Sequence, residues 1–260
     1  MKPLAALRDP ARIRGLLFDI DETLTTDGKL TAEAYAALER LKRSGRICVP
    51  ITGRPAGWCD HIARMWPVDA VVGENGAFYF WHRDGKLGKR YHDEEPVRRE
   101  KRSRLDAIAT RILWEVPGCA LAAAQFCRET DLAIDWCEDV APLPLEAAER
   151  IATLMREGGL TAKLSSIHVN GWFGDYDKLA MTRSLFAERW GMDLSRENAS
   201  YVFVGDSPND APMFAFFENS VGVANVHRFE NLISEKPKYV TRAASGAGFV
   251  ELVEHLLRSA

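Results

Sequence analysis

Two carboxylates near the N-terminus stand one residue apart at the end of an apolar run. Leu16–Phe18 precedes Asp19, and Asp21 follows after a single residue. Because neighbouring strand residues point to opposite faces, both acids can serve one site only where the strand ends and the chain turns. Carboxylates beside a buried strand need a cation, hydrogen bonds or altered protonation to compensate them, so the pattern favours a divalent metal ion. From these residues alone, a pair of turn-capping acids is the alternative.

A second acidic loop follows a β-rich run at positions 201–204. Its sequence is Gly205-Asp206-Ser207-Pro208-Asn209-Asp210. The glycine permits a tight turn, and the two aspartates can bind a metal ion or support its ligands. Two acidic strand ends could therefore share one Mg²⁺ ion.

A third strand end offers groups that suit a phosphate. Residues 47–51 are apolar and precede Thr52, Gly53 and Arg54. A hydroxyl, backbone N–H groups and a forked guanidinium all match phosphate oxygens. By itself this short segment is a weak signal and also fits an ordinary turn.

In their order and spacing, four segments resemble the motifs of the haloacid dehalogenase-like (HAD) phosphohydrolase superfamily. They are Asp19–Thr23, Thr52–Arg54, Lys178 and Gly205–Asp210. The combination is far more specific than any one of them. The resemblance covers roughly positions 10–81 and 171–260. With Gly73–Ala77, the chain looks like the type IIB capped branch, which holds Cof-type, sucrose-phosphate and mannosyl-3-phosphoglycerate phosphatases.

The resemblance implies a role for each catalytic candidate. Asp19 resembles the nucleophile that forms an aspartyl-phosphate, and Asp21 resembles the general acid and base. Lys178 resembles the lysine that offsets charge on the nucleophile and on the phosphoryl group. The other interpretation of Lys178 is an exposed side chain beside two helix-capping residues, Asp175 and Asp177.

The same resemblance implies the binding groups. The expected cofactor is Mg²⁺, held by Asp19, the backbone carbonyl of Asp21 and Asp206, with Asn209 and Asp210 orienting or extending that set. The substrate-binding candidates are Thr52, Gly53, Arg54, Asn75 and Lys178.

Alternating helix and strand signals predict an α/β fold whose sheet is mainly parallel. The fold implied by the resemblance is a Rossmann-like HAD core, at 1–81 and 171–260, with an inserted α+β type-II cap at 82–170. Within the insert, the pattern predicts a strand at Leu132–Cys137 and a helix that begins near Pro144. In the core, Thr31 is placed to cap a helix that ends at Gly45.

Composition excludes several classes of protein. The chain has 260 residues, a net charge of −3 and 47% apolar residues, so no basic surplus indicates a nucleic-acid partner. It contains no apolar run of membrane length and no signal-peptide pattern, which predicts a cytoplasmic protein. Five cysteines without a CxxC pair argue against disulfides and a zinc site. The oligomeric state is left open.

Together these features predict a Mg²⁺-dependent phosphatase for a small phosphorylated metabolite, with sugar phosphates as the leading class. A cap that closes over the site would exclude large phosphoproteins. A sugar phosphomutase is the alternative among enzymes. A sensor that binds phosphorylated ligands without catalysis is the alternative from another class.

Overall fold

The protein is described by a computed structural model that covers residues 1–258. The strands are β1 (Lys2–Pro3), β2 (Gly15–Phe18), β3 (Ile47–Pro50), β4 (Val71–Gly73), β5 (Phe78–Arg83), β6 (Lys86–Tyr91), β7 (Ala120–Leu121), β8 (Leu132–Asp135), β9 (Thr161–Leu164), β10 (His168–Trp172), β11 (Tyr201–Gly205), β12 (Asn219–Gly222) and β13 (Tyr239–Val240). The helices are α1 (Ala32–Arg43), α2 (Ala56–Met65), α3 (Glu95–Glu115), α4 (Leu145–Glu157), α5 (Lys178–Trp190), α6 (Leu194–Glu197), α7 (Ala211–Phe216) and α8 (Ser245–Leu257).

The central sheet has six strands in the order β1-β13-β12-β11-β2-β3, and every neighbouring pair is parallel. In this register Phe18 lies opposite both Val204 and Pro50. The carboxyl ends of β2, β3 and β11 therefore meet at one edge, which is where parallel α/β sheets place their ligands. The predicted parallel α/β core is confirmed.

The apolar side chains of β2 point alternately to the two faces of this sheet, and both faces are covered by helices. Leu16 and Phe18 pack with α1 and α8, whereas Leu17 packs with residues of α5 and α7. Thr31 caps α1 as predicted, because its hydroxyl accepts a hydrogen bond from the Ala34 N–H at 3.2 Å. Burial on both faces fixes the strand, and with it the position of the acidic residues that follow.

A second, antiparallel sheet has the order β7-β8-β10-β9 and packs with α3 and α4 around its own apolar cluster. Its elements fall between residues 95 and 172, so the predicted α+β insert is present.

A third sheet, β4-β5-β6, crosses the predicted boundary at residue 82. Its strands are antiparallel, and Phe78 and Phe80 pack with Ile62 of α2, a core helix. The hairpin of residues 78–91 thus lies against the core. The division at residues 82 and 170 stays a prediction.

Between residues 1 and 258, no helix is both long enough and apolar enough to cross a membrane.

Candidate active site

Three aspartates from two strand ends form one cluster. The Asp19 N–H donates to the Val204 carbonyl at 2.9 Å, which fixes Asp19 beside β11. Carboxylate oxygens of Asp19, Asp206 and Asp210 lie within 4.8 Å of one another. All three side chains are buried. The structure therefore brings together the two acidic segments that are separated by almost 190 residues in the sequence.

Lys178 joins this cluster from the first turn of α5. Its Nζ donates to Asp19 Oδ1 at 3.0 Å and to Asp210 Oδ1 at 2.7 Å. Asp177 does cap the helix, because its carboxylate accepts from the Ala180 N–H at 2.7 Å. Capping by Asp177 agrees with the alternative interpretation, but Lys178 is buried and paired with Asp19 and Asp210.

The cluster carries more negative than positive charge. Burial raises the pKa of Asp19 to about 7, although Lys178 acts in the opposite direction. Burial and the charges of Asp19 and Asp210 raise the pKa of Asp206 well above its usual value. Burial alone would lower the pKa of Lys178, but its two aspartate partners raise it. One ammonium thus faces three buried carboxylates, and this all-oxygen donor set fits Mg²⁺.

Further groups fix the aspartates of the β11 loop. Asp210 Oδ2 accepts from the backbone N–H groups of Asp206 and Ser207, at 3.1 and 3.3 Å. A Cβ at Gly205 would lie 2.2 Å from that same oxygen, so only glycine fits there. Asn225 donates from Nδ2 to Asp206 Oδ2 at 3.0 Å. The orientation of the carboxylates is therefore set before any ligand arrives.

The phosphate-binding candidates lie beside this cluster. The Asn75 N–H donates to the Thr52 carbonyl at 3.1 Å, and a Cβ at Gly53 would lie 3.2 Å from Asn75 Nδ2. Asn209 donates from Nδ2 to Asn75 Oδ1 at 3.3 Å and accepts from the Ser207 hydroxyl at 2.8 Å. Asn209 thus contacts Asn75, and its predicted place beside the metal ligands stays a prediction.

Asn75 also holds an unused donor. Its Nδ2 is buried and has no hydrogen-bond partner within residues 1–258. Because a buried amide without a partner costs free energy, this N–H group is available to a ligand oxygen. This observation supports the predicted place of Asn75 on the substrate side.

Asp21 and Arg54 pair with each other. Arg54 donates from Nε and Nη2 to the Asp21 carboxylate at 2.6 to 3.0 Å. Its Nη2 also donates at 2.6 Å to Oε1 of Glu138, which lies in the loop after β8 of the second sheet. The guanidinium predicted to bind phosphate is therefore engaged by two carboxylates. Its role toward phosphate stays a prediction.

The structure adds residues that the sequence analysis did not name. Glu138 and His168 come from the insert, with His168 Nε2 2.8 Å from Glu138 Oε2. Asn225 comes from the short 3₁₀ helix Ala224–Phe229 that follows β12. Glu138 directly follows the predicted strand Leu132–Cys137, so its strand-end position was a usable signal. No comparable pattern marks Asn225 or His168.

A cavity of about 330 Å³ lies between the core and the insert. Its lining includes Asp21, Arg54, Glu138, Ser166 and Arg228. At roughly 30 Å³ per water molecule in the liquid, it offers space for a small organic ester.

Comparison with known proteins decides the family. The family model for haloacid dehalogenase-like hydrolases matches residues 16–99. A phosphoglycolate phosphatase of Pyrobaculum neutrophilum is 30% identical over 246 residues, which is 93% of this chain and 95% of that protein. The chain belongs to the haloacid dehalogenase-like hydrolase family. The family and the enzyme class expected from the motifs, a phosphoric monoester hydrolase, are thereby confirmed.

Solved structures agree with the fold of this HAD-like hydrolase. The C-terminal domain of trehalose-6-phosphate phosphatase from C. albicans has a TM-score of 0.69 at 15% identity and covers 98% of both chains. The sucrose-phosphatase of Synechocystis has a TM-score of 0.61 at 17% identity, covering 94% of this chain and 98% of the other. At such identities the likeness concerns the fold alone, a HAD core with an inserted cap.

Proposed function

We propose that this HAD-like hydrolase is a Mg²⁺-dependent phosphatase that hydrolyses a small phosphorylated metabolite through an aspartyl-phosphate, with sugar phosphates as the leading substrate class. The observation that carries the proposal is the contact of Lys178 with both Asp19 and Asp210 beside Asp206. This arrangement holds one Asp19 oxygen and leaves the carboxylate close to a site for a cation. The residues that would hold the ion are Asp19, Asp206 and Asp210, with the Asp21 carbonyl and Asn209 as the further predicted contributors.

The residues support a two-step reaction. An Asp19 oxygen attacks phosphorus, and the bond from phosphorus to the leaving oxygen breaks while Asp21 donates a proton to that oxygen. In the second step Asp21 takes a proton from water, the water oxygen attacks phosphorus, and Asp19 is released. Bound Mg²⁺ would offset the charges of the carboxylates and of the phosphoryl group. Lys178 keeps Asp19 oriented throughout.

The cap contributes to substrate choice in this proposal. The cavity of about 330 Å³ is lined by residues of both the core and the insert, including Asp21 from the core and Ser166 from the insert. A metabolite of moderate size fits this space, whereas a folded phosphoprotein does not. The cap at residues 82–170 is accordingly proposed to be the lid that selects the ester. A cytoplasmic location stays a prediction from the sequence.

A panel of phosphate esters, assayed with Mg²⁺ and with excess EDTA, tests the proposal. It should contain hexose 1- and 6-phosphates, disaccharide phosphates and phosphoglycolate, the last because of the relative's activity. We expect Mg²⁺-dependent release of inorganic phosphate from at least one ester. Conversion of hexose 1-phosphate to its 6-isomer without free phosphate would indicate a phosphomutase. Binding without turnover of any ester would indicate a sensor.

A further inference from the structure

The carboxylate of Asp21 depends on a single side chain for its position. Within residues 1–258, Arg54 is the only side chain that donates a hydrogen bond to it. Two donors of the guanidinium grip the carboxylate, a geometry that fixes direction as well as distance. Whatever fixes Arg54 therefore fixes Asp21 too.

Arg54 has its second anionic partner in the cap. The Arg54 side chain is 5% exposed, and its Nη2 lies 2.6 Å from Glu138 Oε1. The guanidinium also lies over the Trp58 ring, with its carbon 4.3 Å from the ring centre. Trp58 belongs to the core helix α2, so Glu138 is the contact that connects Arg54 to the insert.

Glu138 is itself held in place by its loop. The carboxylate of Asp135 accepts hydrogen bonds from the backbone N–H groups of Cys137, Glu138 and Asp139, at 2.8 to 2.9 Å. Burial alone would raise the pKa of Glu138, but its contacts with His168 and Arg54 lower that pKa to about 2. Glu138 therefore presents a permanent negative charge at a fixed point above Arg54.

We propose that Glu138 is a positioning residue: through Arg54, it holds Asp21 in the geometry for proton transfer when the cap lies over the core. The inference rests on the proposed function, in which Asp21 is the acid and base. It couples the position of the cap to the proton-transfer step. When the cap moves away, Arg54 loses its charge-assisted hydrogen bond to Glu138. Asp21 is then held by an arginine side chain that has itself lost one of its contacts.

The experiment compares two esters with different leaving groups. The alcohol of β-glycerol phosphate leaves only with a proton, whereas the anion of p-nitrophenol leaves without one. A positioning role toward the acid must therefore affect the first ester more than the second. A structural role would reduce both rates together.

Glu138→Ala removes the contact, and Asp139→Ala is the matched control. Asp139 is exposed on the same loop and its carboxylate has no hydrogen bond or ion pair within residues 1–258. We expect Glu138→Ala to lower kcat for β-glycerol phosphate by about 10-fold, by analogy with the lower end of the range for residues that orient metal ligands. Its kcat for p-nitrophenyl phosphate should change little, and Asp139→Ala should resemble the wild type with both esters. Glu138→Asp, which keeps the charge, should retain more activity than the alanine variant.

Asp21→Asn and the double variant Asp21→Asn/Glu138→Ala complete the design. If Glu138 acts through Asp21, its removal has no further effect in the Asp21→Asn background. Equal losses with both esters in Glu138→Ala, or behaviour like that of Asp139→Ala, would overturn the inference and leave the proposed function intact. Equal losses with both esters in Asp21→Asn would instead remove Asp21 as the acid, and both proposals about it would fail. Unfolding temperatures of all variants show whether the protein remains folded.

Discussion

The candidate site has two ends, and at each end one basic side chain pairs with two carboxylates. At the nucleophile end, Lys178 contacts Asp19 and Asp210, and these three side chains are 0–4% exposed. At the acid end, Arg54 contacts Asp21 and Glu138, which are 14% and 25% exposed. The nucleophile end is built entirely from the core. The acid end needs a residue from the cap.

In the proposed mechanism, the two ends of the site have different tasks, nucleophilic attack at one and proton transfer at the other. In that mechanism, buried charges in the core hold Asp19 and the candidate cation site in one arrangement. The acid end can respond to the cap in this proposal, because Glu138 belongs to the loop that follows β8 of the second sheet. Phosphorus chemistry is thus proposed to be preorganised within the core, whereas proton transfer depends on the contact between Glu138 and Arg54.

The largest effect is expected at the nucleophile. Asp19→Asn should reduce turnover to background, a loss on the order of 10⁶-fold by analogy with nucleophile removal in other covalent enzymes. The amide is neither a useful nucleophile nor a strong metal ligand. Steady-state phosphate release measures the loss, and beryllium or aluminium fluoride trapping should require both Asp19 and Mg²⁺. Substantial Mg²⁺-dependent turnover in this variant would remove Asp19 from the nucleophile's role.

Next in size is the effect at Asp21, in the other half of the site. Asp21→Asn should lower kcat by roughly 10²–10⁴-fold for an alkyl ester, the range for loss of a general acid or base. The loss for p-nitrophenyl phosphate should be smaller, because that leaving group needs no proton. A ratio of rates unchanged from the wild type would contradict proton donation by Asp21, and the two ends of the site would no longer differ in task.

Lys178→Met tests whether the nucleophile end depends on its internal cation. The variant should lower kcat by about 10²–10³-fold, the usual cost of removing one preorganised electrostatic contact. Loss of one partner from a buried ion pair should also destabilise the protein by about 3–5 kcal/mol without Mg²⁺. Chemical denaturation and steady-state kinetics measure the two effects.

Lys236→Met is the matched control, since Lys236 pairs with Glu230 at an exposed site. It should alter neither the kinetics nor the stability appreciably. If both lysine variants behaved alike, the ion pairs at the nucleophile end would carry no special function.

The smallest effect concerns stability at the acid end. Contacts with His168 and Arg54 lower the pKa of Glu138 from 4.5 to about 2. A lowered carboxylate pKa stabilises the folded state above the unfolded pKa, and this stabilisation is lost as pH falls through the folded pKa. Glu138→Gln should therefore be less stable than the wild type at pH 7, and the difference should be smaller at pH 4. Urea unfolding at both values measures it, and a difference that grows on acidification would contradict the assigned contacts.

Part of the site could be predicted because its residues lie at the ends of strands. Asp19 and Asp206 occupy strand ends, and apolar runs before them predict those strands from local sequence. Parallel strands align their carboxyl ends, so their convergence could be expected from the fold class. The resemblance to HAD enzymes then supplied the roles of Lys178 and Asp21. These expectations used only order along the chain and residue type.

Other features could not be read in this way. Thr52-Gly53-Arg54 indicated a phosphate clamp, yet the structure places the Arg54 guanidinium against Asp21 and Glu138. Glu138 lies 84 residues from Arg54 in the chain, and its position after a predicted strand does not indicate which residue it contacts. Side-chain pairing of this kind depends on which loop faces which, and local propensity carries no such information.

The sequence by itself determined the strand ends, their acidic residues and the parallel core that gathers them, because short-range polypeptide geometry and burial dictate all three. Only the tertiary structure decided how the cap meets the core, and therefore which carboxylate holds Arg54 and which asparagine supports Asp206. The physical reason is distance. Hydrogen bonds and ion pairs act over a few ångströms, so the partners of a buried charge are fixed only when two separately formed layers come into contact.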